Sequence, residues 1–300
     1  MKMQIKAIAL FLLFFVLVNA NAKTVTIDST GWPGDHFSLE GALTLFKKAA
    51  SPEQFEQLLN SEDNYVNNLD LNEDNEIDYV RVVDHQDGEV HAIVLQVPIN
   101  AEESQDIAVI EIEKTGTDQA ALQIVGDETI YGERITVEPY EMEGKAVGKG
   151  PAPEMEFYRV VVNVWLWPSV RYIYRPAYRP WVSPWRWSTY PNYWRPWRPR
   201  PWRQVYGYRV AYRPSFRVVA TPRLVRARRV YTPVRRSSTV VRSRVVVGRN
   251  GKAVRRTRTT TRVNPRTGNV TRTKKTTTVR KGKNGVKVRK KKTVRKRRRN

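Results

Sequence analysis

Between Asp70 and Asp78 the chain reads DLNEDNEID, which sets oxygen-bearing side chains at alternate positions: Asp70, Asn72, Asp74, Glu76 and Asp78. Calcium takes roughly six to eight oxygens, and alternation in a tight loop can turn several side chains and one backbone carbonyl, here that of Glu76, toward a single ion. The competing reading of the same stretch is an acidic, solvated turn. With no cysteine and three histidines, His36, His85 and His91, the composition argues against zinc or another soft metal and leaves hard, oxygen-loving cations.

The loop resembles the calcium loops of EF-hand and dockerin proteins, and also the Dx[DN]xDGxxD loops of FG-GAP repeat proteins. Asn75 stands where glycine is usual, and asparagine tolerates the left-handed backbone such a turn demands. Arg81 stands where an EF-hand places its bidentate glutamate, whereas the ninth-position acid of the FG-GAP form is present as Asp78. Over these nine residues the resemblance implies calcium on Asp70, Asn72, Asp74, Glu76 and Asp78, in the weak range of extracellular modules.

Two further stretches carry binding chemistry. Eight of the nine tryptophans lie between Trp165 and Trp202, and aromatic-Arg-Pro recurs five times, beginning at Tyr174, Tyr178, Trp194, Trp197 and Tyr212. Indole faces beside guanidinium groups suit stacking on sugars, bases or lipid headgroups, with Trp181, Trp185, Trp187, Trp194, Trp197 and Trp202 as the platforms. This much proline favours extended, polyproline-like chain, so residues 158–216 read as a semi-rigid, largely disordered linker that can also dock on a membrane surface or on itself.

From residue 217 the chain reads as a polycationic tail. Gly251, Gly268 and Gly285 repeat at 17-residue intervals within residues 245–295, and Asn250-Gly251, Thr267-Gly268 and Asn284-Gly285 are hairpin-turn signals between Val- and Thr-rich runs. The repeats read as cationic β-hairpins that stay disordered until a polyanion neutralises them. Candidate contacts are Arg255, Arg256, Arg272, Lys274, Lys275, Arg289, Lys290, Lys291, Lys292, Arg295, Lys296, Arg297, Arg298 and Arg299. Counterion release drives such binding, so lipopolysaccharide, acidic polysaccharide or extracellular DNA would be held with steep salt dependence and little selectivity.

Catalytic motifs are absent: the sequence has no GxSxG, HExxH or Walker pattern. Asp84, His85 and His91 fall near one expected hairpin, where a histidine is more often a packing residue than a base. A hydrolase built on a carboxylate pair stands as an alternative, since the acidic segment offers many such pairs. An extracellular nucleic-acid-binding protein is the other alternative.

These residues need a scaffold, and the acidic segment can supply one. Lys2 and Lys6, the apolar run Ala7 to Val18 and the small-residue site Ala20-Asn21-Ala22 give a secretory signal over residues 1–22, with no spanning segment in the mature chain. Export places the protein in the periplasm, at the outer envelope surface or outside the cell. Residues 23–157 read as an acidic α+β domain. Phe37 to Ala49 has helical spacing, Ser51-Pro52 caps a second helix with Phe55, Leu58 and Leu59 inward, and strand-like runs follow at 77–83, 89–97, 107–113, 120–125 and 135–138. Asp87-Gly88 and Thr115-Gly116 mark hairpin turns. A helical pair packed on one face of an antiparallel sheet is the expected architecture.

The net charge of +24 conceals a partition. All 29 Asp and Glu lie between Asp28 and Glu156, where residues 23–156 hold eight Lys and Arg, a balance of −21. From Phe157 on there are 43 Lys and Arg and no acid. The tail can therefore fold back on the head, yet even full pairing leaves a positive surplus for outside partners.

Overall fold

The computed structural model describes residues 29–147, 154–247, 253–263, 270–282 and 285–297, with the backbone alone over 142–161 and from 243 on. The expected signal segment lies outside the described residues. Among those described, no helix is long and apolar enough to cross a membrane.

The two expected helices form. Helix α1 (Leu39–Lys48) is capped by Ser38, whose hydroxyl accepts from Gly41 N, and α2 (Pro52–Leu59) by Ser51, which accepts from Gln54 N. Each cap meets an amide that the helix leaves without an intrahelical partner. Phe46 and Phe55 meet edge to face, with centroids 5.1 Å apart, and lock the pair together.

Five strands follow as an antiparallel run: β1 (Arg81–Asp87), β2 (Val90–Pro98), β3 (Ser104–Gly116), β4 (Gln119–Gly126) and, after the short helix α3 (Glu128–Tyr131), β5 (Thr136–Val147). Strand β6 (Glu154–Val161) pairs with the far half of β5. The β1–β2 turn falls at Gly88, whose φ is +58°. The β3–β4 turn lies at Thr117-Asp118 rather than at Thr115-Gly116, because β3 runs on through Gly116 to pair with Gln119. The first expected strand also shifts: residues 77–80 are not strand, and pairing with β2 starts at Arg81.

Side chains alternate across this sheet, as period-two geometry requires. Val82, Ile93, Leu95, Ile110, Ile112 and Ile124 join the core beneath α1 and α2, while Val83, Ala92, Val94, Val109 and Val125 face the other way. That second face is not open to water. Helix α6 (Val225–Tyr231) covers it, packing Tyr231 and Val230 against the second cluster.

Here the sequence expectation is corrected. The segment 158–216 is not a largely disordered linker: its first residues complete β6, and residues 162–219 form a strap folded onto the sheet and helices. Helix α4 (Pro168–Ile173) buries Val170 and Ile173 in the main core, α5 (Trp202–Arg209) follows, and β7 (Phe216–Val219) joins the sheet beside β5, with Arg217 opposite Glu138. Helix α7 (Thr239–Arg244) brings Val241 into the same core. Proline removes backbone donors and fixes φ, but a strap needs few ladder bonds. Its aromatic rings and guanidinium groups find apolar and carbonyl partners instead.

Arg209 shows how. Buried at 6% exposure, it donates to the carbonyls of Tyr65 (2.7 Å), Asp35 (2.8 Å), His36 (2.8 Å) and Val66 (2.9 Å), tying α5 to the start of the chain. Its burial among these groups lowers its pKa to about 10. Residues 181–183 cover the free edge of β1, with Asp84 N donating to Trp181 O and Ser183 N to Val82 O, so the outermost strand is not left as a template for another chain.

The last four strands form a separate antiparallel sheet: β8 (Val245–Val247), β9 (Ala253–Val263), β10 (Val270–Gly282) and β11 (Gly285–Arg297), in the order β11-β10-β9-β8.

Candidate functional site

Each expected calcium ligand has a definite place. Asp70 Oδ1 accepts from Asp74 N (3.1 Å) and its Oδ2 from Asn75 N (3.2 Å). Asn72 Oδ1 also accepts from Asp74 N (2.9 Å), Asn72 Nδ2 donates to Asp74 Oδ2 (2.7 Å), and Asp74 Oδ1 accepts from Glu76 N (2.9 Å). Glu73 and Asn75 take left-handed φ of 59° and 71°, which curls the loop tightly enough for these contacts. The loop thus gathers Asp70, Asn72 and Asp74. It does not gather Glu76, whose side chain is exposed, and Asp78 is buried below with one oxygen accepting from Leu71 N.

Burial, with repulsion from Asp70 and Asp74 added, raises the Asp78 pKa well above the ordinary carboxylate value; burial is also the main cause of the smaller rise at Asp70. A cation would relieve both. The donors are carboxylate and amide oxygens, the hard type that suits calcium. Among the described residues, no three or more His, Cys, Asp or Glu are grouped to hold a metal ion, so the loop would depend on Asn72 and backbone carbonyls to complete a shell.

Beside this loop lies a half-open cleft of about 900 Å³. Asp70, Asp74, Asn75 and Glu76 form one wall, Pro196, Trp197, Arg198 and Pro199 the other, and His36 and Asn68 the base. Main-chain bonds fix the two walls relative to one another. Ile77 N donates to Trp197 O (2.8 Å), Arg200 N donates to Asn68 Oδ1 (2.8 Å), and Asn68 Nδ2 returns a bond to Arg200 O (3.0 Å). Arg200 also pairs with Glu62 at 2.5 Å.

The six tryptophans have unequal fates. Trp194 is 3% exposed and packs edge-on against Tyr79 with centroids 5.1 Å apart, so it offers no face to a ligand. Trp181 lies partly buried against Glu56, and Trp202 stands 4.9 Å from Tyr206. Trp185 and Trp187 are half-buried, and Trp197 alone of the six lines the cleft.

The cationic residues named from the tail occupy register positions on β9–β11, except Arg298 and Arg299, which lie outside the described residues. Lys275 stands opposite both Arg258 and Lys292, and Arg272 opposite Arg295. Like charges placed opposite one another oppose strand pairing.

Asp84 and His91 do meet: His91 Nδ1 lies 2.9 Å from Asp84 Oδ2, both side chains fully buried, and Tyr178 OH donates to the same oxygen at 2.9 Å. Tyr174 packs edge-on against the imidazole at 5.0 Å. The pair forms a packing network under the strap. Two buried acids on the second sheet face stand out. Burial pushes Glu111 up to about 7, and Asp106, which accepts from Gln96, Tyr231 and Arg236, up to about 6.

Residues missed from sequence are those that bind the strap. Glu56, 1% exposed, accepts from Val82 N (2.7 Å), Tyr79 OH (2.8 Å) and Ser183 Oγ (2.9 Å). In the sequence it is one acid among 29, on a short helix whose apolar spacing is already complete without it.

Most ion pairs between described residues link the acidic head to residues 200–235: Arg200 with Glu62, Arg217 and Arg223 with Glu138, Arg235 with Asp127 and Glu128. Residues 157–244 hold 20 Lys and Arg, so residues 23–244 together come to −1, while residues 245–300 hold 23 Lys and Arg and no acid.

No family model matches the chain, and neither does any curated protein or solved structure.

Proposed function

We propose that this is an exported, non-enzymatic protein of the cell envelope or extracellular matrix, which grips anionic polymers through residues 245–300 and binds calcium in the Asp70–Asp78 loop, where Asp70, Asn72 and Asp74 are gathered. One observation carries the reading. The arginines of residues 157–244 offset the acidic head, leaving residues 23–244 near zero charge, so the 23 positive groups beyond residue 244 have no equivalent partner within the molecule. Fold-back of the tail onto the head is correspondingly weakened, because four of the head's carboxylates, Glu62, Glu138, Asp127 and Glu128, already face Arg200, Arg217 or Arg235. Release of condensed counterions then favours lipopolysaccharide, acidic polysaccharide, extracellular DNA or an anionic membrane surface.

The test is retention of the full chain on immobilised heparin as salt is varied. Replacing Lys290, Lys291 and Lys292 by Gln is expected to lower the magnitude of the log-log salt slope by about two to three, at roughly 0.7–0.9 per lost contact. A chain that passes through unretarded in dilute buffer refutes the proposal. Competition among lipopolysaccharide, acidic glycan and DNA at fixed salt then ranks the polymers, and a marked preference for DNA moves the reading to a nucleic-acid-binding protein.

A further inference from the structure

The geometry points to a second binding site, for a neutral saccharide, in the cleft between the Asp70–Glu76 loop and the Pro196–Pro199 wall.

Three observations carry it. First, the cleft has the size of a small-molecule site, about 900 Å³ and half open, within the roughly 300–1,000 Å³ such sites occupy. Second, its walls are fixed by the backbone bond from Ile77 to Trp197 and the paired bonds between Asn68 and Arg200, so little ordering is needed when a ligand enters. Third, the two walls differ in chemistry. Trp197 with Pro196 and Pro199 gives an apolar wall on which the C–H face of a sugar ring can pack, while Asp74, Asn75 and Glu76 face it across the gap.

The polar groups favour hydroxyls over ions. A hydroxyl both donates and accepts. The carboxylates of Asp74 and Glu76 accept only, the Arg198 guanidinium donates only, and the Asn75 amide does both. The side chains of Asn75, Glu76 and Arg198 are exposed. Each Asp74 oxygen has one partner, Glu76 N or Asn72 Nδ2, and keeps a second lone pair. An ammonium or guanidinium ligand would satisfy the acids but face Arg198. An anion would meet the Glu76 carboxylate and, where calcium is not bound, those of Asp70 and Asp74 as well, against one guanidinium, so the calcium-free cleft disfavours the polymers proposed for the tail. The site is independent of the tail, and either proposal can fail without the other.

The test is isothermal titration of the full chain with cellohexaose, maltohexaose and chitohexaose in about 0.5 M salt, where the screening length lies between roughly 3 and 8 Å and tail contacts are suppressed. At least one of the three is expected to bind saturably. Trp197→Ala should weaken that binding about ten-fold or more, the scale of one lost stacking platform. Glu76→Gln, at an exposed side chain, should weaken it several-fold while leaving the melting temperature and the heparin salt slope unchanged. It therefore tests the site even if Trp197→Ala disturbs folding. Failure of all three sugars to bind, or binding that both substitutions leave untouched, overturns the proposal. So does penta-arginine binding that Glu76→Gln weakens while no sugar binds, since the cleft would then read cations.

Discussion

Glu56→Ala is expected to loosen the strap from the sheet. The carboxylate joins three parts of the chain: α2, which carries it; β1 and the residue pair before it, through Val82 N and Tyr79 OH; and the strap, through Ser183 Oγ, with the Trp181 indole N–H near at 3.5 Å. Alanine removes the acceptor of three well-formed bonds. Val82 N is buried and left without an acceptor, at about 1–3 kcal/mol, whereas the Tyr79 hydroxyl keeps Tyr193 OH as a partner at 3.1 Å. Ser183 can turn its hydroxyl, so its share is smaller. Removing a carboxylate whose pKa is raised by burial returns part of the loss, which leaves about 2 kcal/mol. That is a large fraction of the roughly 5–15 kcal/mol holding a typical domain. Glu56→Gln keeps one carbonyl acceptor and should cost less. Urea denaturation of the full chain followed by tryptophan fluorescence measures the loss, and the rate of tryptic cleavage after the exposed Arg186 reports release of the strap. A Glu56→Ala protein within about 1 kcal/mol of the parent, cleaved no faster at Arg186, refutes the assignment of this carboxylate as the latch.

Glu111 and Asp106 retain protons in the fold at pH values where the unfolded chain has released them, so stability is fullest below about pH 4 and declines as pH rises toward their folded values of about 7 and 6. Each contributes a slope of about 1.4 kcal/mol per pH unit within its window. Glu111→Gln should flatten the upper part of the curve of urea midpoint against pH, and parallel curves would count against it. Calcium at about 10 mM, against a site in the range of roughly 10⁻⁴–10⁻³ M, should add about 1.4–2.7 kcal/mol. That raises the melting temperature of the full chain by a few degrees over chelator, and Asp74→Asn should cancel the rise; identical melting in calcium and chelator removes the ion from the loop. Gly132 has φ +85°, and a Cβ there would sit 2.2 Å from the Trp32 indole, whereas Gly88 at φ +58° faces open space. Gly132→Ala should therefore cost about 2–4 kcal/mol and Gly88→Ala about 1 kcal/mol; equal losses by denaturation would contradict the packing described.

The helical pair was legible because its cues are local. Phe37, Leu39, Leu43 and Phe46 repeat at helical spacing, and Ser51-Pro52 states a cap outright. Strands β2 to β4 were legible for the same reason, through alternation. The strap was not, because Pro-rich chain shows no periodicity even when it is packed, and the partners of Arg209 and Ser183 lie more than 100 residues earlier. The cover on the second sheet face was not legible for a related reason: no local pattern places α6 and the residues before it over Glu113 and Gln123. Of the candidate site, the acidic loop was visible in the spacing of its side chains. The wall opposite, Trp197 and Arg198, is brought there by tertiary packing that no local pattern records.

The strap closes over β1 roughly a hundred residues after that strand has been made, and α6 covers the second face later still. Contacts of such long sequence separation form slowly, since the loop between them must close first. The N-terminal half therefore waits with one strand edge bare until residues 181–183 have emerged, and with a row of buried-to-be acids hydrated until the chain beyond residue 231 has followed. Truncation before residue 181 leaves both the edge and the second face open, and truncation between residues 183 and 225 leaves that face without its lid.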